Sequence, residues 1–399
     1  MVPTMRLPTG LLLVLLCGPA VAQSPPPAAP VPPAPRAVLN IALPPPPNHH
    51  LSGLGSPGRL AVDASGTFYV ATSSFQPSPD GILPARSARI ELLAYGRDGK
   101  QKYRSMLPVQ AGVGAKGFNV ESLGVVAFPS GETAMFLSSS NTRIALPQDE
   151  RSVTTLFRID ASGKVVRSSP VPPAGTVSGA FYRTKSYVPT ADNGLLVGGG
   201  YGADPFNWWI GKFDSQGQRA WQAGPGPAYP EDVYGLTVRP DGGVVAIVQE
   251  VQQMSGLSQW YVARFSGDGT PLGRAPINTL GPSFAALPGF WVSAVDIFQT
   301  ANPPQLVRID DQGNVLGSAP WPYDQTRRLI ADGNGVAAIV CAAAGPLCFV
   351  ARAGVDGKVR WQSQPGSFTD IARTPDGQIA AVSWSADMLT ASLVTFADP

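Results

Sequence analysis

Apolar and polar residues alternate along most of this chain in short runs, the period of half-buried β-strands, and tight-turn signatures interrupt the runs at regular spacing. One signature joins two strands through an Asp/Asn/Gly turn. It stands at Val62-Asp63-Ala64-Ser65-Gly66, Phe128-Pro129-Ser130-Gly131, Ala191-Asp192-Asn193-Gly194, Arg239-Pro240-Asp241-Gly242, Ala331-Asp332-Gly333-Asn334-Gly335 and Thr374-Pro375-Asp376-Gly377, with a degraded copy at Leu287-Pro288-Gly289. A second signature lies further along each unit: apolar, any residue, basic or aromatic, apolar, then a turn ending in Gly. Leu156 to Gly163, Ile210 to Gly217 and Leu306 to Gly313 show it best, and looser copies end at Gly99, Gly269 and Gly357. The glycines supply the positive φ that tight hairpin turns need. Each unit therefore reads strand A, turn, strand B, variable connection, strand C, turn, strand D. In unit two these are Leu123–Phe128, Thr133–Leu137, Thr154–Ile159 and Lys164–Ser168.

Four-stranded units repeated seven times predict an all-β fold: a seven-bladed β-propeller of antiparallel blades. Residues 36–399 number 364, or 52 for each of seven blades. The last unit reaches its C strand at Leu393-Val394-Thr395-Phe396 and stops. The run Ala37 to Leu43 has no partner of its own. Pairing it as the outer strand of the last blade would close the ring and remove an open edge.

Composition fits this reading. The chain holds 44 Gly and 42 Pro among 399 residues, and 14% of residues are charged. Average proteins have roughly 12% of Gly and Pro together and about 25% charged residues. The turn-formers exclude a helical bundle, and 44% hydrophobic residues exclude a disordered chain. A net charge of +2 offers no basic surface for nucleic acid.

Residues 1–22 read as an export signal: Arg6, the apolar run Leu11 to Leu16, and the small-x-small site Ala20-Val21-Ala22. Residues 23–35 form a Pro-rich spacer that favours polyproline II. The propeller takes residues 36–399. No later apolar run reaches the length of a membrane span. The expected location is periplasmic or extracellular. Cys341 and Cys348 flank a turn-containing loop between two apolar runs, and in an oxidising compartment they are expected to form a disulfide.

The C–D turns carry a resemblance. Trp follows the turn glycine by four positions at Gly217…Trp221 and Gly357…Trp361. In this the chain resembles the secreted propeller group that includes the WD-repeat-like and quinoprotein-like (PQQ-repeat) families. The resemblance implies that these tryptophans dock one blade on the next. The other units carry Tyr103, Arg167, Gly273 and Gly317 at that place, and the Thr before Gly of those repeats is missing. The implication therefore covers the fold and not quinone binding, and no cofactor is expected.

No hydrolase elbow, phosphate loop or metalloprotease motif occurs, and His49 and His50 read as loop residues. Asp63, Asp160, Asp192, Asp214, Asp241, Asp310, Asp332, Asp356 and Asp376 all fall in turns. The weak candidates for a metal site in the channel are Glu121, Glu231, Asp232 and Asp370. Long B–C connections in the first four blades point to a binding face on that side, with Phe75, Arg86, Arg143, Arg151, Tyr201, Phe206, Trp208 and Met254 as its candidate residues. Trp208 and Trp209 are adjacent, so on a strand they face opposite ways, one into the core and the other to a blade interface or the surface. The leading expectation is a monomeric, non-catalytic scaffold binding a protein or glycan. The alternative is a metal-dependent, lactonase-like hydrolase with a carboxylate site in the channel.

Overall fold

The turn chemistry read from the sequence sets the backbone. Seven A–B turns and six C–D turns each place one residue at positive φ, from Gly66 at 80° to Gly377 at 82°. In the A–B turn of blade 3 that residue is Asn193 (φ 56°) and not Gly194, because Asn is among the few side chains that tolerate this region. Aspartates brace many of these turns. Asp160 Oδ1 accepts from the Ser162 and Lys164 amides at 2.9 Å each, and Asp214 and Asp310 do the same in their blades. The degraded copy survives as a two-residue turn, Pro288-Gly289 between paired Leu287 and Phe290. Pro at the first and Gly at the second central position suit a type II turn.

The structure is a computed structural model. It describes residues 32–45, 50–51, 59–75, 88–108, 118–141, 152–171, 181–202, 207–224, 231–251, 258–277, 281–295, 303–341, 348–385 and 390–399. Among them the strands form seven antiparallel sheets and there is no helix, hence none able to cross a membrane. Strands A to D are Phe118–Ala127, Thr133–Asn141, Ser152–Ile159 and Val165–Pro170 in blade 2, and Phe181–Pro189, Leu195–Gly202, Asn207–Phe213 and Arg219–Ala223 in blade 3. They are Glu231–Val238, Val244–Val251, Ser258–Phe265 and Pro271–Ile277 in blade 4, and Ser283–Leu287, Phe290–Val295, Gln305–Ile309 and Val315–Pro320 in blade 5. Blade 6 has Gln325–Asp332, Gly335–Cys341, Cys348–Gly354 and Val359–Gln362.

Blade 7 takes A, B and C from Ser367–Arg373, Ile379–Trp384 and Ala391–Ala397, and its D strand is Arg36–Leu43. The register runs from Arg36 opposite Ala397 to Leu43 opposite Ala391. The ring is closed by the strand expected to close it. Each A strand also touches the A strands of both neighbouring blades, blade 7 against blade 1 included.

Blade 1 departs from the plan. Its B, C and D strands are Phe68–Phe75, Ala88–Tyr95 and Gln101–Met106, but its A strand is split into His50–Leu51 and Leu60–Val62. The A strands of blades 2, 3, 4, 6 and 7 carry a register shift toward the same end, away from the A–B turn. In blade 1 a break stands in place of that bulge.

Seven apolar clusters fill the wedges between blades. B strands lie between two such wedges, so their side chains are buried on both faces; Gly335 to Cys341 is buried throughout. This accounts for the low charge of the sequence: few strand positions meet water. Trp208 and Trp209 point opposite ways, and both are core. Trp208 packs between blades 3 and 4, edge-on to Phe265 at 6.1 Å, and Trp209 between blades 2 and 3.

Cys341 and Cys348 are bonded across the B–C pair of blade 6, with their Cα atoms 4.1 Å apart. Cys348 exchanges its backbone hydrogen bonds with Gly366 on the other side. The two cysteines are thus a non-hydrogen-bonded pair, the closer of the two antiparallel spacings.

Candidate functional site

The A strands line the centre of the ring, and there four side chains from different blades converge. Asp370, one residue past the bulge of blade 7, is fully buried. Its Oδ2 accepts the Leu60 amide of blade 1 at 2.9 Å. Its Oδ1 accepts its neighbour Ile371 N–H at 2.9 Å and stands 3.3 Å from Arg328 Nε of blade 6. One carboxylate thus joins blades 6, 7 and 1 at the seam of the ring. Arg59, 2% exposed, is the second cation near it. Burial pulls the Arg59 guanidinium down to about 10, while the Asp370 carboxylate and Tyr187 push it back up; it stays charged at neutral pH. Burial and then Asp370 push the Tyr187 phenol of blade 3 well above its ordinary value, with Arg328 and Arg59 opposing, so it stays neutral. Gly124 gives this phenol its room, since a Cβ there would stand 2.6 Å from the Tyr187 hydroxyl.

Of the channel candidates, Asp370 is therefore held by donors of its own chain. Asp232, half-buried at the start of blade 4, caps its neighbour Val233 N–H at 3.1 Å. It sits on the A strand of blade 4 and Asp370 on that of blade 7. Glu121 and Glu231 are placed by backbone in the A strands of blades 2 and 4. No group of three His, Cys, Asp or Glu among the described residues is close enough to share an ion. Sequence reasoning picked out Asp370 and missed Arg59, Arg328 and Tyr187. The available signal was a charged or phenolic residue inside a predicted A strand, where other units carry Gly124 or Gly235.

The opposite kind of site is a set of clasps between blades. Trp221 Nε1 donates to Gly267 O of the next blade at 2.9 Å, and its ring covers Gly269, where a Cβ would lie 2.6 Å from it. Tyr103 covers Gly163 in the same way, and Trp361, fully buried, donates to Asp398 at 2.6 Å. The residue four places past the turn glycine does dock one blade on the next in these junctions. Asp332 corrects the reading of its signature as turn chemistry. It is 2% exposed and receives Arg352 of its own blade and Arg373 Nε of blade 7 at 2.8 Å. Its turn is a two-residue one, Gly333-Asn334 between paired Asp332 and Gly335, which leaves the carboxylate free to face the arginines.

The binding-face candidates divide. Arg86, Arg143, Arg151, Phe206 and Met254 lie outside the described residues, as does His49. Phe75 and Tyr201 are placed by backbone at the ends of the B strands in blades 1 and 3, opposite His50 and Asn207. Trp208 is 5% exposed and packed between blades, so it offers no surface to a partner.

No protein-family profile matches the chain, and no curated protein matches it in sequence. Solved structures do match in fold. The β-propeller domain of the Trilobed protease from Pyrococcus furiosus, reported to have an open velcro topology, aligns at 11% identity and TM-score 0.53, over 88% of this chain and 96% of that one. An ulvan lyase from a new polysaccharide lyase family aligns at 10% identity and TM-score 0.53, over 90% and 95%. The acylaminoacyl peptidase of Pyrococcus horikoshii aligns at 10% and TM-score 0.52, over 88% of this chain and 51% of that one. These likenesses show the propeller fold. They include parts of enzymes, and unlike the velcro of the first, the ring here is closed by pairing of both ends of the chain.

Proposed function

We propose that the chain is an exported, monomeric, non-catalytic propeller that binds a protein or glycan through the face from which the B–C and D–A connections leave. The observation carrying this reading is the state of Asp370. A carboxylate meant for a metal or a proton keeps at least one oxygen open to its substrate. Here Oδ2 accepts the Leu60 amide, Oδ1 accepts the Ile371 amide and faces Arg328 at 3.3 Å, and the residue is fully buried, a structural duty at the ring seam. The Cys341–Cys348 disulfide supports export, since such bonds persist in oxidising compartments. The tryptophan docking at Trp221 supports kinship with quinoprotein-like propellers in architecture only.

The test is affinity capture from an envelope fraction, and glycan-array binding, comparing the intact protein with a variant carrying Arg86→Ala, Arg143→Ala and Phe206→Ala. Trp208 is left alone because its loss would open the core. The expected outcome is a partner retained by the parent and lost by the variant. Equal capture by both, or chelator-sensitive hydrolysis of lactones by the purified protein, would overturn the proposal, the latter in favour of a metal-dependent hydrolase.

A further inference from the structure

On the face that carries the A–B turns, the backbone of neighbouring blades is equivalent while the residues on it differ, so two adjacent junctions can be compared position by position. Between blades 2 and 3 the chain fills the wedge itself. Phe128 is fully buried. The Arg158 guanidinium lies 4.1 Å over its ring. Arg158 Nη2 donates to Glu132 Oε2, and Nη1 to the Asn193 carbonyl of blade 3, each at 3.1 Å.

Between blades 3 and 4 the same backbone positions carry other residues. Hydrogen bonds fix the correspondence. The Phe128 amide donates to the Glu132 carbonyl, and the Thr190 amide to the Gly194 carbonyl. Arg158 pairs in register with Ala134, and Lys212 with Leu196. Thr190 thus replaces Phe128, Gly194 replaces Glu132 and Lys212 replaces Arg158. The ring has gone and the cation has stayed, and its acid partner now comes from Asp192, inside the turn, and not from the Glu132 position. Leu196 in place of Ala134 returns only part of the volume. What remains is a pocket of about 510 Å³ with an apolar lining of Leu196, Val238 and Val244 and polar groups from Thr190, Asp192, Lys212 and Arg239. That volume falls in the range of small-molecule sites.

The charges favour one sign of ligand. Asp192 Oδ2 stands 3.2 Å from Lys212 Nζ. Asp192 is itself mostly exposed while Lys212 is largely covered, and an ammonium carries three donors. Arg239 is held by Asp311 of blade 5. The lining thus holds two cations and one acid, Asp192, which occupies one of the three ammonium donors of Lys212 and leaves the others for an incoming anion.

We propose that the junction of blades 3 and 4 binds a small aromatic carboxylate. Its ring lies on Leu196, Val238 and Val244, where the Phe128 ring sits one junction earlier, and its carboxylate meets Lys212, as Glu132 meets Arg158. This site is separate from the partner-binding face proposed above and stands or falls without it.

The experiment titrates the full mature protein with phenylacetate, followed by calorimetry and by protein NMR shifts. Benzylamine serves as the cationic isostere and acetate as the headgroup alone. Two variants accompany the parent. Thr190→Phe restores the ring the preceding junction has, and Lys212→Met keeps the apolar stem and removes the charge. Phenylacetate is expected to bind the parent, with benzylamine and acetate at least tenfold weaker. Lys212→Met should weaken phenylacetate about tenfold or more, the size of one charge-assisted hydrogen bond, and Thr190→Phe should abolish binding with an unchanged melting temperature. Absence of phenylacetate binding, equal binding of benzylamine, or undiminished binding by either variant would overturn the proposal. If Thr190→Phe melts below the parent, the Lys212→Met comparison decides.

Discussion

Removing the closure strand is the sharpest test of how this ring is held. The comparison is a chain beginning at Pro32 with one beginning at Pro44, which lacks Arg36–Leu43. Leu43 is 2% exposed, and Leu39 and Ile41 are half-buried against the cluster of Phe68, Trp384 and Leu393. Complete burial of such a side chain is worth about 1.5–3 kcal/mol. One full and two half burials therefore come to roughly 3–6 kcal/mol. The ladder hydrogen bonds add little, because the edge of Ala391–Ala397 would be solvated once freed. Unfolding entropy of about 2.1 cal/mol/K per residue gives roughly 0.8 kcal/mol/K for a ring of this size. The melting temperature should then fall by about 4–8 °C, read by calorimetry or by circular dichroism. A freed strand edge should also promote self-association, visible by light scattering. If the two chains melt within about 1 °C of each other, the burial arithmetic is wrong and the strand is ornamental.

Asp370→Asn should cost about 2–4 kcal/mol in urea unfolding, below the full penalty for breaking a buried pair because Arg328 is partly in water; Arg328→Met added to it should recover part of the loss. Reduction of the disulfide, or Cys341→Ser with Cys348→Ser, should cost about 2–2.5 kcal/mol for so short a loop, measured as a fall in melting temperature on adding reductant. Acid should weaken the turns. Burial raises the Asp63 carboxyl, but hydrogen bonds from Ser65, Thr67 and Tyr69 outweigh it and hold it below the ordinary carboxylate value. Its contribution is therefore present above the unfolded carboxylate range, near 3.9, and is lost as pH falls through the lower folded value. Asp63→Asn should flatten that part of the stability profile between pH 5 and 2, and an unchanged acid limb would count against the assignment.

What the sequence discloses and what it hides follow from the range of the interactions. The turn glycines act within four residues, so Gly66, Gly131 and Gly163 announce their turns directly. Closure by Ala37 to Leu43 was legible because the last unit lacked a strand and the first had one to spare. Asp332 misled, since its turn signature is complete while its partners Arg352 and Arg373 lie 20 and 41 residues away. Asp370 could be picked out as an odd acid in a strand, but its bond to Leu60 spans 310 residues and no local pattern reports it. The split A strand of blade 1 does have a local signal, the Gly- and Pro-rich run between Leu51 and Arg59, which the bulged A strands of the other blades lack. The junction at Thr190 and Lys212 reads as two ordinary substitutions until the preceding junction shows what they replace.

The pairing of Arg36–Leu43 with Ala391–Ala397 has a consequence in time. Synthesis proceeds from the N-terminus, so the first strand of the ring to be made is the last to find its partner. Every other sheet can complete itself from residues already present, whereas this edge waits for nearly the whole chain. Until then Leu39, Ile41 and Leu43 can reach only the blade 1 half of their cluster, Phe68 and Tyr95 among it, and the strand they sit on keeps an unpaired edge. A chain stopped before Ala391 would keep six complete blades and lose the clasp that makes them a ring, so ring closure reports that Ala391–Ala397 has been made.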